Sequence, residues 1–449
     1  MRIFSRNDTG TSSAFANVLP FPLTVGNWRP MNINLIKTSA SLAAVASILV
    51  ASGAARAADK GDCAAYLPAL PHVYVAGSSA VKPLIQKITD ALIATEVVIY
   101  VSQGSCVGVD DIFNDTVLPT GAGLGILGSA DTCTVPAATK ADVGVSDVFA
   151  TSCAGVNAVP AGVGDFQGPI QAMNFVVPKG AKAAIQSISA EAAYLVFGFD
   201  PASNNAATGK SYADGTPWTA KDDVWIRGGT SGTQAMIGLA IDLPPASWAL
   251  NAYTDAATIK HAVAGGSGEI VTRVGGATNL DTTIGILASN ELDDARATVR
   301  GLAYQATGQS CGYWPDSTSS SKDKLNVRTG KYDIWGPLHM YSKVGANKKP
   351  TSTEAADLIA YVNGEKDLPG TTLDTDIIAL ETSKNLIPVC AMQVSRDAEV
   401  GAPISVNPTC SCYYDTKRLG DVTGCEACTT DDDCTDKTKS CSRGFCEAI

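Results

Sequence analysis

The sequence predicts an α/β protein with largely parallel sheets and two lobes. Short apolar runs alternate with amphipathic helical stretches from Leu67 to about Ala402. Alternation of this kind buries strands beneath helices on both faces of a sheet. The span, about 335 residues, exceeds what a single hydrophobic core ordinarily holds.

In chain order, His72–Ala76 (HVYVA) reads as a strand, and Ser79–Ile93 as a helix with Leu84, Ile85, Ile88 and Leu92 on one stripe. Val97–Val101 and Asp142–Val145 are further strands, and Met173–Pro178 is extended with Pro178 closing it. Val224–Arg227 leads into a helix from Ser231 to about Leu243. Thr283–Ala288 and Leu338–Tyr341 are later strands, and Thr353–Asn363 a late helix.

A hydrophobic fraction of 45% excludes disorder over most of the chain. With 33 Lys+Arg against 44 Asp+Glu the net charge is −11, which argues against nucleic acid as a partner, since that binding runs on cationic charge. The three histidines, His72, His261 and His339, stand far apart, so no histidine-rich metal centre is expected.

From Met31 the chain carries Lys37, an apolar run from Leu42 to Ala51 and an A-x-A site at Ala55–Ala57. This is the pattern of a Sec signal peptide cleaved near Ala57; the run is shorter than the roughly 20 residues a bilayer span needs. Residues 1–30 fit neither a helix nor a leader, and Met31 is the expected start. The mature chain is then periplasmic or extracellular, at the cell surface.

Thirteen cysteines agree with an oxidising compartment. Seven of them lie from Cys410 onward, among few large apolar residues, so this tail is expected to be stapled rather than built on a core. Pro403 and Pro408 mark the linker before it. Cys425-x-x-Cys428 with Cys434, Cys441 and Cys446 suits either zinc or disulfides; export and the absence of tail histidines favour disulfides. An odd total leaves one thiol over or pairs it between chains. Spacing does not fix connectivity; Cys133–Cys153 is one candidate pair.

Four stretches place small or hydroxyl residues where a strand is expected to give way to a helix: Ala76–Ala80 (AGSSA), Gln103–Gly108 (QGSCVG), Gly144–Asp147 (GVSD) and Arg227–Thr233 (RGGTSGT). Free N–H groups at helix starts, hydroxyl donors and the helix dipole make anion sites. Arg227 adds a fixed cation with a planar fork suited to oxyanions. Singly, Ser79 and Ser231 read as N-caps, and Asp147 as a turn residue. Together they describe a cleft in which loops converge on one anion.

The order VYVAGSSAVKPL, SQGSCVGVDDI, ADVGVSD, QGPIQAMNFVVPKG, WIRGGTSGTQAM, GGSGEIV, TTIGILASNEL and IWGPLHMYSK resembles the phosphate-binding proteins of bacterial phosphate ABC importers, of the type II periplasmic binding-protein superfamily. The resemblance spans Leu67 to Glu365. It implies a two-lobed fold with a hinge and central cleft, plus the small disulfide-rich tail. The organisation implied is an extension and signal at 1–57, one lobe from 58–168 and 332–405, the other from 169–331, and the tail at 406–449. The hinge would lie near Gly168–Phe175 and Tyr332–His339.

Carried over by position, the resemblance implies phosphate contacts from the Ser79 hydroxyl, the Ala80 N–H, Ser105, Arg227 and the helix start Ser231–Gly232–Thr233. Asp147 would be the acceptor, a role that suits a ligand still bearing a proton, as phosphate does and sulfate does not. Gly229 stands where the family commonly carries an acidic residue that holds the arginine, so Arg227 is expected to be oriented differently here or held by another carboxylate. Stacking aromatics for a larger ligand are not evident near the four loops, though Trp218, Trp225 and Trp248 could contribute.

The implied function is capture of phosphate, or a similar protonated oxyanion, by a monomer that delivers it to ABC importer membrane subunits. No catalytic residue, metal or cofactor is expected. Two alternatives remain at this stage: a surface or adhesion protein that uses the tail for interaction, and a phosphatase-like relative acting through Ser79 or Ser105.

Overall fold

The computed structural model describes residues 58–198, 217–218, 223–244, 248, 262–263, 266–370, 376–420 and 422–449. All belong to one compact unit, Ala55–Ile449. The expected leader and start at Met31 lie outside the described residues. No described helix is long and apolar enough to cross a membrane.

The chain begins with β1 (Ala58–Asp62) and then forms β2 (His72–Gly77), α1 (Lys82–Leu92), β3 (Val97–Ser102) and α2 (Ser105–Phe113). The α1 stripe Leu84, Ile85, Ile88 and Leu92 is buried as its spacing requires. A hairpin follows, β4 (Gly121–Leu127) and β5 (Asp131–Val135), then β6 (Val143–Ser146) and the sixteen-residue β7 (Val163–Pro178). The next elements are β8 (Ser187–Ser189), α3 (Ala190–Gly198), β9 (Val224–Arg227), α4 (Gly232–Ala240), β10 (Ala262–Val263) and α5 (Ser267–Gly275). After them come β11 (Ile284–Ala288), α6 (Ser289–Asp294), β12 (Val299–Gly301), β13 (Ala303–Gln305) and α7 (Leu325–Arg328). The chain returns through β14 (Trp335–Lys343), α8 (Thr353–Val362), α9 (Ile377–Ser383) and the pair β15 (Val394–Ser395) and β16 (Ile404–Ser405). It finishes with α10 (Ser411–Leu419) and the hairpin β17 (Lys439–Ser442) and β18 (Phe445–Ala448).

The main sheet runs β1-β5-β4-β3-β2-β6-β14-β7-β11-β9-β10, with β12 also on β7. β2 is parallel to β3 and β6, and β9 is parallel to β10 and β11. β7 joins these two parallel sets. Its first part, Val163–Ala172, pairs with β14, and its later part pairs antiparallel with β11 from Met173 to Val176.

The register decides where the loops go. Ser146, at the end of β6, lies opposite His339 in the middle of β14, which in turn lies opposite Gln167 of β7, and Trp335 lies opposite Ala172. Ala288, at the end of β11, lies opposite Met173. The C-terminal ends of both parallel sets therefore point at the middle of β7, where a crevice outside the strand ends is the usual ligand position in open α/β sheets.

Six disulfides form among the described residues. The candidate pair Cys133–Cys153 is not one of them. β1 lies parallel to β5, which delivers Cys63 to Cys133, while Cys153 meets Cys106 in the first turn of α2. Cys311 is the leftover thiol, exposed. The tail cysteines pair as Cys412–Cys425, Cys428–Cys441 and Cys434–Cys446, and Cys390–Cys410 ties the tail to the body. These pairs settle the choice between zinc and disulfides in favour of the latter.

The tail is not only stapled. Tyr413 and Tyr414 of α10 are buried in the main hydrophobic cluster. Arg328 meets Asp415 at 2.5 Å and lies over the Tyr414 ring, and Arg418 pairs with Asp293 of α6.

Candidate functional site

Loop one follows β2. Gly77 has φ of 136°, a region that disfavours side chains, and a Cβ there would overlap the Val145 carbonyl of β6. Ser78, buried, donates its hydroxyl to Asp147 Oδ2 at 2.5 Å and accepts the Ala80 N–H at 3.1 Å. Tyr100 of β3 donates its hydroxyl to the Ser78 carbonyl. Ser79 is not the N-cap its position suggests. Val81 occupies that place, with Pro83 in the first turn, and the Ser79 hydroxyl accepts from Arg227 Nη2 at 3.1 Å.

Loop two begins α2 at Ser105, whose hydroxyl donates to Asp147 Oδ2 at 3.1 Å. The third stretch departs from expectation: after β6 no α-helix follows, only a single 3₁₀ turn at Ala150–Ser152. The segment is an acceptor loop. Ala150 N–H donates to the Tyr341 hydroxyl at 2.8 Å, and the Cys106–Cys153 disulfide closes the loop onto α2.

Loop four connects β9 to α4. Ser231 is the N-cap, its hydroxyl accepting the Gln234 N–H, as its position predicts. Gln234 Oε1 accepts the Arg227 N–H at 3.0 Å. The Arg227 guanidinium is held by hydroxyls in place of the missing acidic residue: Nη1 donates to Ser267 at 2.9 Å and Nη2 to Ser79. Gly232 packs directly on Ser105. A Cβ at Gly232 would overlap Ser105 Oγ and come within 3.1 Å of the Asp147 Cβ.

The loops that carry the sequence-predicted residues thus come together. Ser79 contacts Arg227, Ser105 contacts Asp147, and Gly232 abuts both Ser105 and Asp147. Cys106 N–H donates to the Thr230 carbonyl at 3.1 Å, and Asn290 of α6 donates to the Ala80 carbonyl at 2.7 Å, so loops one and two bond directly to the other parallel set. Thr233 is buried in the first turn of α4. Trp218 and Trp248 are buried as well, and serve as core.

Two polar atoms stand out. Asp147 Oδ1 and Arg227 Nε are both buried with no hydrogen-bond partner. Burial pushes the Asp147 carboxyl up, while hydrogen bonds from Ser78 and Ser105 and the charges of Arg227 and His339 pull it down. Burial likewise lowers Arg227, with Asp147 and Glu291 opposing. Arginine keeps its charge regardless. The site therefore holds one buried cation and one buried carboxyl, each with an unused hydrogen-bonding position, surrounded by hydroxyls.

Residue-by-residue reading missed Ser78, Ser267, Gln234 and Asn290. Ser78 sits beside the chosen Ser79 in the same stretch. Ser267 stands in Gly265-Gly266-Ser267-Gly268, a glycine-flanked serine of the kind that marked the other loops. Gln234 and Asn290 had no local signal.

No family model and no curated protein matches the chain. Among solved structures, it is similar to a candidate phosphate ABC transporter substrate-binding protein with bound phosphate from Clostridium perfringens, at 14% identity over 71% of this chain and 99% of that one, TM-score 0.45. It is similar also to a candidate phosphate-binding protein from Planctomyces limnophilus, at 12% identity over 71% and 93%, TM-score 0.40. A third is PstS from Borrelia burgdorferi, at 15% identity over 71% and 98%, TM-score 0.33. At this level of overlap, the function of this chain is read from its own residues.

Proposed function

We propose that this protein is an extracytoplasmic solute-binding protein for a protonated tetrahedral oxyanion, inorganic phosphate foremost. One observation carries the reading: Asp147 Oδ1, an acceptor, and Arg227 Nε, a donor, are buried and unpartnered where four loops converge. A partnerless buried polar atom is costly, by about 1–3 kcal/mol or more when charged. A ligand that accepts from the arginine and donates a proton to the carboxylate relieves both. Monohydrogen and dihydrogen phosphate do this; sulfate, fully deprotonated, meets the carboxylate with like charge.

In this reading the ligand contacts come from Ser79, Ala80, Ser105, Asp147, Arg227, Ser231, Gly232 and Thr233. One lobe is 58–168 with 332–405, and the other 169–331; closure about β7 and β14 traps the anion. The leader pattern at Met31–Ala57 and the six disulfides support export to an oxidising compartment. Importer membrane subunits are the proposed recipients.

Titration calorimetry of the purified protein with phosphate, arsenate and sulfate tests the reading. Phosphate and arsenate should bind and sulfate should be weaker by orders of magnitude. Equal affinity for sulfate, or no anion binding, overturns it. The hydrogen bond from Ser78 to Asp147 favours a second reading, a phosphomonoesterase with Ser78 as nucleophile. Phosphate release from p-nitrophenyl phosphate, lost in Ser78→Ala, would establish that reading instead.

A further inference from the structure

We propose that Glu399 is a positioning residue of the anion site, anchoring the loop that carries Asp147 and setting by its own charge how tightly the anion is held. The inference rests on the binding function proposed above. Glu399 lies between β15 and β16, about 250 positions after the loop it holds. One carboxylate oxygen, Oε2, accepts the Phe149 N–H at 3.1 Å and the Ser152 hydroxyl at 3.2 Å. The other, Oε1, is buried without a partner. Gly336 of β14 makes room for it: a Cβ there would lie 2.9 Å from Oε1 and 3.7 Å from the Asp147 carbonyl. Glu399 therefore sits behind the acceptor loop, wedged between that loop and β14.

The charges around it are few and named. Arg396, on its own segment, lies over the Trp335 ring and donates to the Asp333 and Trp335 carbonyls. Asp333 is its nearest carboxylate. From β14 come Tyr341, which holds the same loop, and His339, whose Nδ1 meets Asp165 of β7 at 2.8 Å. From the loop itself comes Asp147. Burial lifts the Glu399 carboxyl to about 7, with its two donors and Arg396 lowering it and Asp147 raising it. Below that pH the group is a neutral acid. Above it, a second negative charge appears behind Asp147 and disfavours any bound anion, whatever the protonation of Asp147.

A carboxylic acid placed in this way makes anion affinity fall as pH rises through about 7, beyond what the ionisation of phosphate itself produces. Glutamine mimics the neutral acid and keeps the acceptor for Phe149 and Ser152. The experiment measures inorganic phosphate affinity of the full chain and of Glu399→Gln by calorimetry from pH 5.5 to 8.5. The ionisation of phosphate is common to both and cancels in their ratio. The ratio should be near one at the acid end. By pH 8.5 the unmodified protein should bind more weakly than Glu399→Gln by on the order of tenfold or more, the like-charge penalty of a buried carboxylate behind the anion at an effective dielectric near 20.

Ser152→Ala, which removes one donor to the ionised form, should move the step to higher pH. Parallel curves for the unmodified protein and Glu399→Gln, or an unmoved step in Ser152→Ala, overturn the role of Glu399 and leave phosphate binding standing. Absence of phosphate binding at every pH overturns the binding function, and this role with it.

Discussion

Replacing Asp147 with asparagine exchanges one buried oxygen for an N–H₂ and leaves the shape of the site unchanged. The asparagine carbonyl can still accept from Ser78 and Ser105, as Asp147 Oδ2 does. The amide nitrogen then occupies the position of Oδ1, the unpartnered acceptor. A phosphate that donated its proton there loses a charge-assisted hydrogen bond, about 1.5–3 kcal/mol, or roughly 10- to 100-fold in affinity. Sulfate moves the other way. It sheds repulsion from a carboxylate about 4 Å away, up to about 4 kcal/mol at an effective dielectric near 20, and gains a donor. The preference for phosphate over sulfate should shrink by about three orders of magnitude in competition calorimetry. The folded protein without ligand provides an independent check. Burial raises the Asp147 carboxyl, so the native state holds its proton to higher pH than the unfolded chain does, and stability falls as pH rises through that window. Asp147→Asn should therefore melt higher than the unmodified protein at neutral pH, with the gap closing in acid. An unchanged preference between phosphate and sulfate in a folded Asp147→Asn protein refutes the acceptor role.

The other predictions concern packing, charge and the tail. Gly232→Ala should abolish anion binding, because the new methyl overlaps Ser105; adding Ser105→Gly should restore folding cooperativity in a melt without restoring full affinity. Arg227→Lys should weaken phosphate by tenfold or more, since an ammonium cannot span Ser267 and Ser79 and still offer a third donor. Glu399→Gln should gain thermal stability over the unmodified protein as pH rises from about 4.5 to about 7, where a carboxyl lifted in the fold costs stability on ionising. Truncation before Cys410 should lower the melting temperature sharply, because Tyr413 and Tyr414 leave the core and Arg328 and Asp293 lose partners.

Much of this was legible in the sequence because local patterns carry local structure. The strand Val224–Arg227 falls where its β-branched and aromatic residues place it, and helix α8 ends one residue short of expectation. The glycine- and serine-rich loops were legible for the same reason, since close backbone approach excludes larger residues. What the sequence hid was long-range. Whether Ser78 or Ser79 faces Asp147 depends on the turn at Gly77, and both are serines. The partner of Cys133 depends on β1 pairing with β5, a sheet-edge contact without a sequence signature. The start of β7 gives no strand signal because its first six residues, Val163–Gly168, are largely part-exposed and mix Gly, Asp and Gln with the apolar ones, leaving no apolar run. The tail has few apolar residues, yet two adjacent tyrosines carry it into the core, Tyr413 with its hydroxyl bonded to Asp376 and Tyr414 with its ring under Arg328.

The sixteen residues of β7 have one more implication. A door swings on a pin, but a ribbon that joins two strand sets of one sheet must twist along its length, and each degree of twist strains the amide ladders along it. The proposed closure should therefore register as altered hydrogen–deuterium exchange at Ala172 and Met173, where β7 passes from β14 to β11, although neither residue is among the proposed anion contacts.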